Sequence, residues 1–125
     1  MPGGTRYGFT AEEWHRCRDE MRSVLAEIAC ERQTITYGNL VTRISGRRMS
    51  PRSSALSVML GEVCQMEDMA RGTMLGSVVV RVSDGIPGDG YFRHAEELGR
   101  DTSDRVSFWR REVEKVWDAW AESER

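Results

Sequence analysis

Apolar residues recur at helical spacing along most of the chain, broken by short polar connections and by one β-branched run. Trp14, Cys17, Met21, Val24, Leu25 and Ile28 return every three or four positions, which predicts a helix over about 11–31 with one buried stripe. Thr10 opens it with a capping box, its hydroxyl set to accept from the amide of Glu13 while that carboxylate reaches back. Leu40, Val41 and Ile44 give one apolar side to a short second helix, capped by Thr36 and entered from a brief extended piece at Ile35. Ser50 and Pro51 mark the start of a third helix, because proline at the first helical position loses no needed hydrogen bond. Leu56, Met59, Leu60 and Val63 form its inner face, and Gly72 is placed to stop it after about Ala70.

"TMLGSVVVRV" is the one clear strand, between residues 74 and 82. "SDGIPGDG" reads as a turn rather than a phosphate cradle: it lacks the lysine and the strand–helix spacing of a nucleotide loop. Tyr91 and Phe92 then return as a short partner strand, followed by a short helix near 92–99. A last helix over 103–121 carries Val106, Trp109, Val113, Val116, Trp117 and Trp120 at the same spacing as the first. Two such stripes are expected to pack on each other, within the chain or across a homodimer.

The expected fold is therefore α+β, a winged helix-turn-helix. It is helix-rich, with a small two- to three-stranded antiparallel sheet and an added C-terminal helix. Residues 1–9, with three glycines and a proline, are expected to be a flexible lead-in, and 10–125 a single domain. The chain of 125 residues is long enough to bury a core without disulfides or metal.

Composition narrows the function classes. The formal net charge is −2, so nucleic-acid binding has to come from a local patch and not from overall charge. Lys115 is the only lysine; so strong an arginine bias follows from a GC-rich bacterial coding sequence as readily as from phosphate binding. No apolar run is long enough to span a bilayer and the first residues lack the layout of a secretory signal, which points to the cytoplasm and away from membranes. Cys17, Cys30 and Cys64 are widely spaced and fall in helical patterns, reading as free thiols with no metal site.

"ITYGNLV", residues 35–41, resembles the helix entrance in the winged-helix DNA-binding part of O6-alkylguanine-DNA alkyltransferases and alkyltransferase-like proteins. The resemblance covers that element and, more loosely, the layout from about residue 21 to 92, and it implies DNA binding. The chain departs from the family where its chemistry resides: it has no Pro-Cys-His-Arg motif, and Cys64 lies in "EVCQMED" among acids. Alkyl transfer is not expected. "LGSVVV" with "GIPGDGYF" is similar to small uncharacterised bacterial proteins, which implies no activity.

The DNA-binding candidates cluster ahead of and along the third helix. Arg43, Arg47, Arg48 and Arg52 fall within ten residues with no acid between them, a phosphate clamp beside the free amides of a helix start. Ser53, Ser54, Ser57 and Gln65 lie toward the outer face with Val58 and Gly61, while Glu62 nearby would repel phosphate. Small side chains permit close approach but supply few long donors, so double-stranded DNA would be bound with limited sequence specificity. The wing adds Arg81 and Arg93, but also Asp84 and Asp89. An arginine loop that only solvates the chain explains the same residues.

A second reading is a protein-interaction adaptor, with Phe108, Trp109, Trp117 and Trp120, or the small face of the third helix, as its contact. Phe108 points away from the main stripe of its helix. His94 with Glu97 and a nearby aspartate is too thin a set for catalysis, so no enzyme, no catalytic residue and no cofactor is expected.

Overall fold

The computed structural model describes residues 6–44 and 49–123. Helix α1 spans Ala11–Cys30, strand β1 Ile35–Thr36, helix α2 Tyr37–Arg43 and helix α3 Ser54–Arg71. A 3-10 turn at Leu75–Val78 leads into strand β2, Val79–Val80, followed by α4, Asp89–Glu97, and α5, Arg105–Ser123. No helix among the described residues is long and apolar enough to cross a membrane.

The helix starts follow their caps. Thr10 accepts from the Glu13 amide at 3.1 Å while the Glu13 carboxylate accepts from the Thr10 amide at 2.9 Å, the reciprocal box expected. Thr36 caps α2 through the Asn39 amide. For α3 the cap is Ser53, accepting from the Leu56 amide, so Pro51 lies in the preceding turn and not at the first helical position. Gly72 ends α3 in the left-handed conformation, φ 73°, its amide bonded to the Asp68 carbonyl.

The central piece is the 3-10 turn. All of Leu75, Gly76, Ser77 and Val78 are buried, and α1, α3 and α5 pack around them. Where the sequence predicts one long strand over 74–82, only Val79–Val80 are extended. These pair with Ile35–Thr36 in a two-stranded parallel sheet, Ile35 beside Val79 and Thr36 beside Val80, in place of the antiparallel sheet expected. Parallel neighbours need a crossover, and α2 with α3 supplies it. The returning strand expected at Tyr91 and Phe92 does not form: both belong to α4, where Tyr91, Phe92 and Ala95 make one buried face. The chain is thus helix-rich α+β with a small parallel sheet, and α4 stands where the returning strand was expected.

Helices α1 and α5 pack on each other within the chain, bringing Trp14, Met21, Leu25, Val113, Val116 and Trp120 into one core. Val106, expected on that stripe, is 39% exposed. Residues 6–9, assigned to the lead-in, form an Arg6–Phe9 bridge, and the buried Phe9 meets Trp14 edge-on at 5.5 Å. Phe108 does point away from the main stripe, but into a second cluster with Cys64, Met74, Tyr91 and Phe92; at 5% exposure it offers no partner a surface. The tryptophans proposed as contacts are likewise engaged internally. Trp109 donates to the Ser77 carbonyl at 2.8 Å, Trp117 to the Gln33 carbonyl at 3.0 Å, and buried Trp120 stacks under the Arg71 guanidinium at 4.2 Å.

Candidate functional site

A cleft of about 790 Å³ opens between the start of α2, the first half of α3 and the segment joining β2 to α4. Its size is that of a small-molecule or nucleotide site, roughly 300–1,000 Å³. Tyr37 and Gly38 line it from α2, Ser53, Leu56, Ser57, Leu60 and Cys64 from α3, and Gly88, Gly90, Tyr91 and His94 from the far side. Pro51 and Arg52 stand on one lip, Arg81, Val82 and Ser83 on the other.

The walls are fixed by close contacts that only glycine allows. A Cβ on Gly61 would lie 2.4 Å from the His94 ring, and one on Gly90 would lie 2.8 Å from Ser57 Oγ. The small outer face of α3, expected to be free for a groove or a partner helix, is in this way partly covered by the chain's own α4. His94 Nε2 donates to the Ser57 carbonyl at 3.2 Å, and its Nδ1 lies 3.3 Å from Glu97. On the floor, a Cβ on Gly76 would meet Cys64 Sγ at 2.6 Å. Burial pushes the Cys64 thiol up to about 12, which leaves essentially no thiolate to act as a nucleophile.

Tyr37 spans the cleft to the other side. Its Oη accepts from the Gly88 amide at 2.9 Å, tying the start of α2 to the start of α4. Burial raises the Tyr37 phenol above its ordinary value, against the opposing effect of that amide. Tyr91 Oη shares a 2.6 Å hydrogen bond with buried Ser77, and burial holds this phenol far above its usual range. Both phenols stay neutral; the charged groups of the lining are Arg52, Arg81 and Asp89.

The arginines expected to form a clamp have separate fates. Arg47 and Arg48 lie outside the described residues. Arg43 is tied to Glu27 at 3.0 Å on the α1 side. Arg81 is tied at 2.5 Å to Asp84, whose carboxyl is held below its usual value by that guanidinium. Arg52 and Arg93 are exposed and have no carboxylate within ion-pair distance among the described residues. Among the polar candidates, Ser53 uses its hydroxyl on the α3 cap, Ser54 and Gln65 are exposed, and Ser57 is half-buried under α4. Glu62, expected to repel phosphate, instead accepts from Arg6, Arg18 and the Trp14 indole at 2.6–3.0 Å. Asp89 at the cleft edge is paired with Arg105 at 2.8 Å.

Sequence reasoning missed Tyr37, His94, Pro51 and Val82 as lining residues. Tyr37 stood in the quoted "ITYGNLV" segment, but nothing in the sequence brings it to Gly88, fifty-one positions on. No protein family, curated protein or solved structure matches the chain.

Proposed function

We propose that the protein docks on double-stranded DNA by the approach to α3, with the winged-helix part of the chain as its contact surface, and that the cleft receives a nucleobase turned out of the stack. One observation carries this reading: a nucleotide-sized cleft opens at the first turns of α3, with exposed Arg52 beside it, which has no ion-pair partner among the described residues. A cationic side chain beside a helix start suits a phosphate. The space behind it, walled by Leu56, Leu60 and the Tyr37 ring, suits the flat apolar faces of a base. The resemblance of residues 35–41 to a DNA-binding helix entrance agrees with this. The covering of Ser57 and Gly61 by α4 leaves few α3 side chains to read base edges, which supports limited sequence specificity. Docking without chemistry is the reading, since Cys64 is held as a buried neutral thiol.

Fluorescence anisotropy with a labelled duplex at two salt concentrations tests docking. Arg52→Glu is expected to weaken binding and lower the salt slope by about 0.9, the contribution of one phosphate contact. A 2-aminopurine placed opposite a mismatched base is expected to brighten on binding, because unpairing a mismatch costs least. Silence of the wild-type protein at low salt overturns the reading.

A further inference from the structure

The wall of the cleft holds a glycine that nothing in the folded chain requires. Gly38, the second residue of α2, lines the cleft, and a Cβ there would meet no atom within 4 Å. Its φ is not positive, so its backbone suits other residues equally well. Alanine is the better helix former of the two, because glycine has more freedom to lose on folding. The other glycines of the wall differ. Gly76 and Gly90 each face a side-chain atom of the chain itself, Cys64 Sγ and Ser57 Oγ, closer than a Cβ permits. What Gly38 keeps clear is open space at the cleft, and a bare backbone suits the close approach of a ligand.

The rest of the lining decides which ligand that space suits. Leu56, Leu60 and the ring of Tyr91 give it apolar walls, and Cys64 stays a neutral thiol. The polar groups between them are spent on the chain: Tyr37 Oη takes the Gly88 amide, Tyr91 Oη bonds Ser77, and His94 Nε2 meets the Ser57 carbonyl. A sugar-like ligand, rich in hydroxyls, would lose water there without gaining partners. At the lips Arg81 is paired with Asp84 and Asp89 with Arg105. Arg52 has no carboxylate within ion-pair distance among the described residues, which leaves one available cation beside an apolar space.

We infer that the cleft is a binding site for a free aromatic carboxylate, its flat ring lodged against Leu56 and Leu60 and its carboxylate paired with Arg52. Charge complementarity sets the orientation, apolar body inward and anionic head at the lip. A guanidinium takes a carboxylate through two parallel hydrogen bonds, which fixes the head as well as attracting it. The volume of about 790 Å³ admits such a ligand with room for substituents on the ring. The site does not depend on the duplex reading. Where the duplex docks, the acid fills the space proposed for the base and competes for Arg52, so the protein would hold DNA less firmly as the acid accumulates.

The experiment titrates 1-naphthoate and its neutral counterpart 1-naphthalenemethanol into wild type, Gly38→Leu and Arg52→Gln by calorimetry, with the thermal unfolding of each protein. Gly38→Leu is expected to weaken both probes by about tenfold or more, since the leucine takes the space they need, while Tm holds or rises. Arg52→Gln is expected to weaken naphthoate about tenfold and to leave the alcohol within about twofold. Wild type that binds no naphthoate at millimolar concentration overturns the site, as does a Gly38→Leu protein that binds like wild type. A fall in Tm for Gly38→Leu contradicts the open space and overturns it too. Naphthoate bound no better than the alcohol, or both weakened equally by Arg52→Gln, overturns the pairing with Arg52. Labelled duplex held by wild type is expected to be released by naphthoate; duplex left in place overturns the competition. A duplex that never binds, with naphthoate bound, ends the duplex reading and leaves this site standing.

Discussion

Gly76→Ala adds one methyl to the floor of the cleft, and the structure gives its cost a definite source. The new Cβ would lie 2.6 Å from Cys64 Sγ, closer than such atoms approach, and both residues are buried. Gly76 does not have a positive φ, so alanine suits its backbone and would by itself stabilise by about 0.4–1 kcal/mol through the unfolded chain. Against that stands an overpacking cost of about 1–3 kcal/mol, because Cys64 on α3 is packed with Met74 and Phe92 in the second cluster and must shift toward the cleft to admit the methyl. The expected net loss is about 1–2 kcal/mol, a fall in Tm of roughly 4–8 °C for a chain of this size. Cys64→Ala alone leaves a small cavity and loses about 1–2 kcal/mol. Joined to it, Gly76→Ala places its methyl in the space the sulfur vacated and is expected to be neutral or slightly stabilising. The double-mutant cycle by urea denaturation should therefore show a coupling of about 2 kcal/mol. Additive losses, to within about 0.5 kcal/mol, would mean that the Gly76–Cys64 contact does not limit the floor, and the reasoning would fail.

Glu62 gives a pH-dependent test. Its burial alone would raise its pKa, but hydrogen bonds from Trp14, Arg6 and Arg18 outweigh that and lower it in the folded chain. A lowered folded value means stability that is fully present above the ordinary value of 4.5 and is lost below it, as the pH falls through the lower folded value. Glu62→Gln should accordingly cost about 1–2 kcal/mol at neutral pH and much less near pH 3, read as converging denaturation midpoints; a constant gap would contradict the assignment. Phe108→Ala should lose about 3–5 kcal/mol as a core truncation, and light scattering should show the same mass before and after; a change of mass with stability kept would restore Phe108 to a partner surface.

The parts of the fold that were legible in the sequence are those with local causes. The Thr10 box, the Thr36 cap, the Gly72 stop and the stripes of α1 and α3 each need only a few neighbouring residues, and each is present. The segment after β2 was misread because Tyr91 and Phe92 are adjacent aromatics, which suit a strand, while Ala95 and Leu98 continue the same face at helical spacing. Gly88 as the helix cap and the packing of α4 on α3 decided it. Sheet direction was equally out of reach: two strands of two residues carry no register of their own, and the crossover through α2 and α3 fixes them parallel. The arginine cluster was visible, but not the pairing of Arg43 within it, nor that of Arg81 beyond it. Glu27 lies sixteen positions before Arg43, and Asp84 removes Arg81 through a turn whose closure depends on Gly85.

A net charge of −2 argues against a duplex only if the charges act as a whole, and here most do not. Glu67, buried, holds Arg22 and Arg71; Glu114 and Asp118 hold Arg32; Asp68 holds Arg100. Opposite charges a few ångströms apart cancel beyond their own spacing, and salt screens what remains within about 8–10 Å. What a phosphate meets on the lip of the cleft is thus set by Arg52 and by Asp89, which Arg105 already engages. The same economy of free groups limits recognition. A helix reads a groove with its first turns, and at that end of α3 Ser53 is committed to the cap and Ser57 lies under α4, leaving Ser54 exposed. A surface of that kind has almost nothing with which to read base edges, which fits the limited sequence specificity proposed for it. If the proposed docking holds, its selectivity is expected to come from how easily a given duplex step opens at the cleft and not from base-edge contacts.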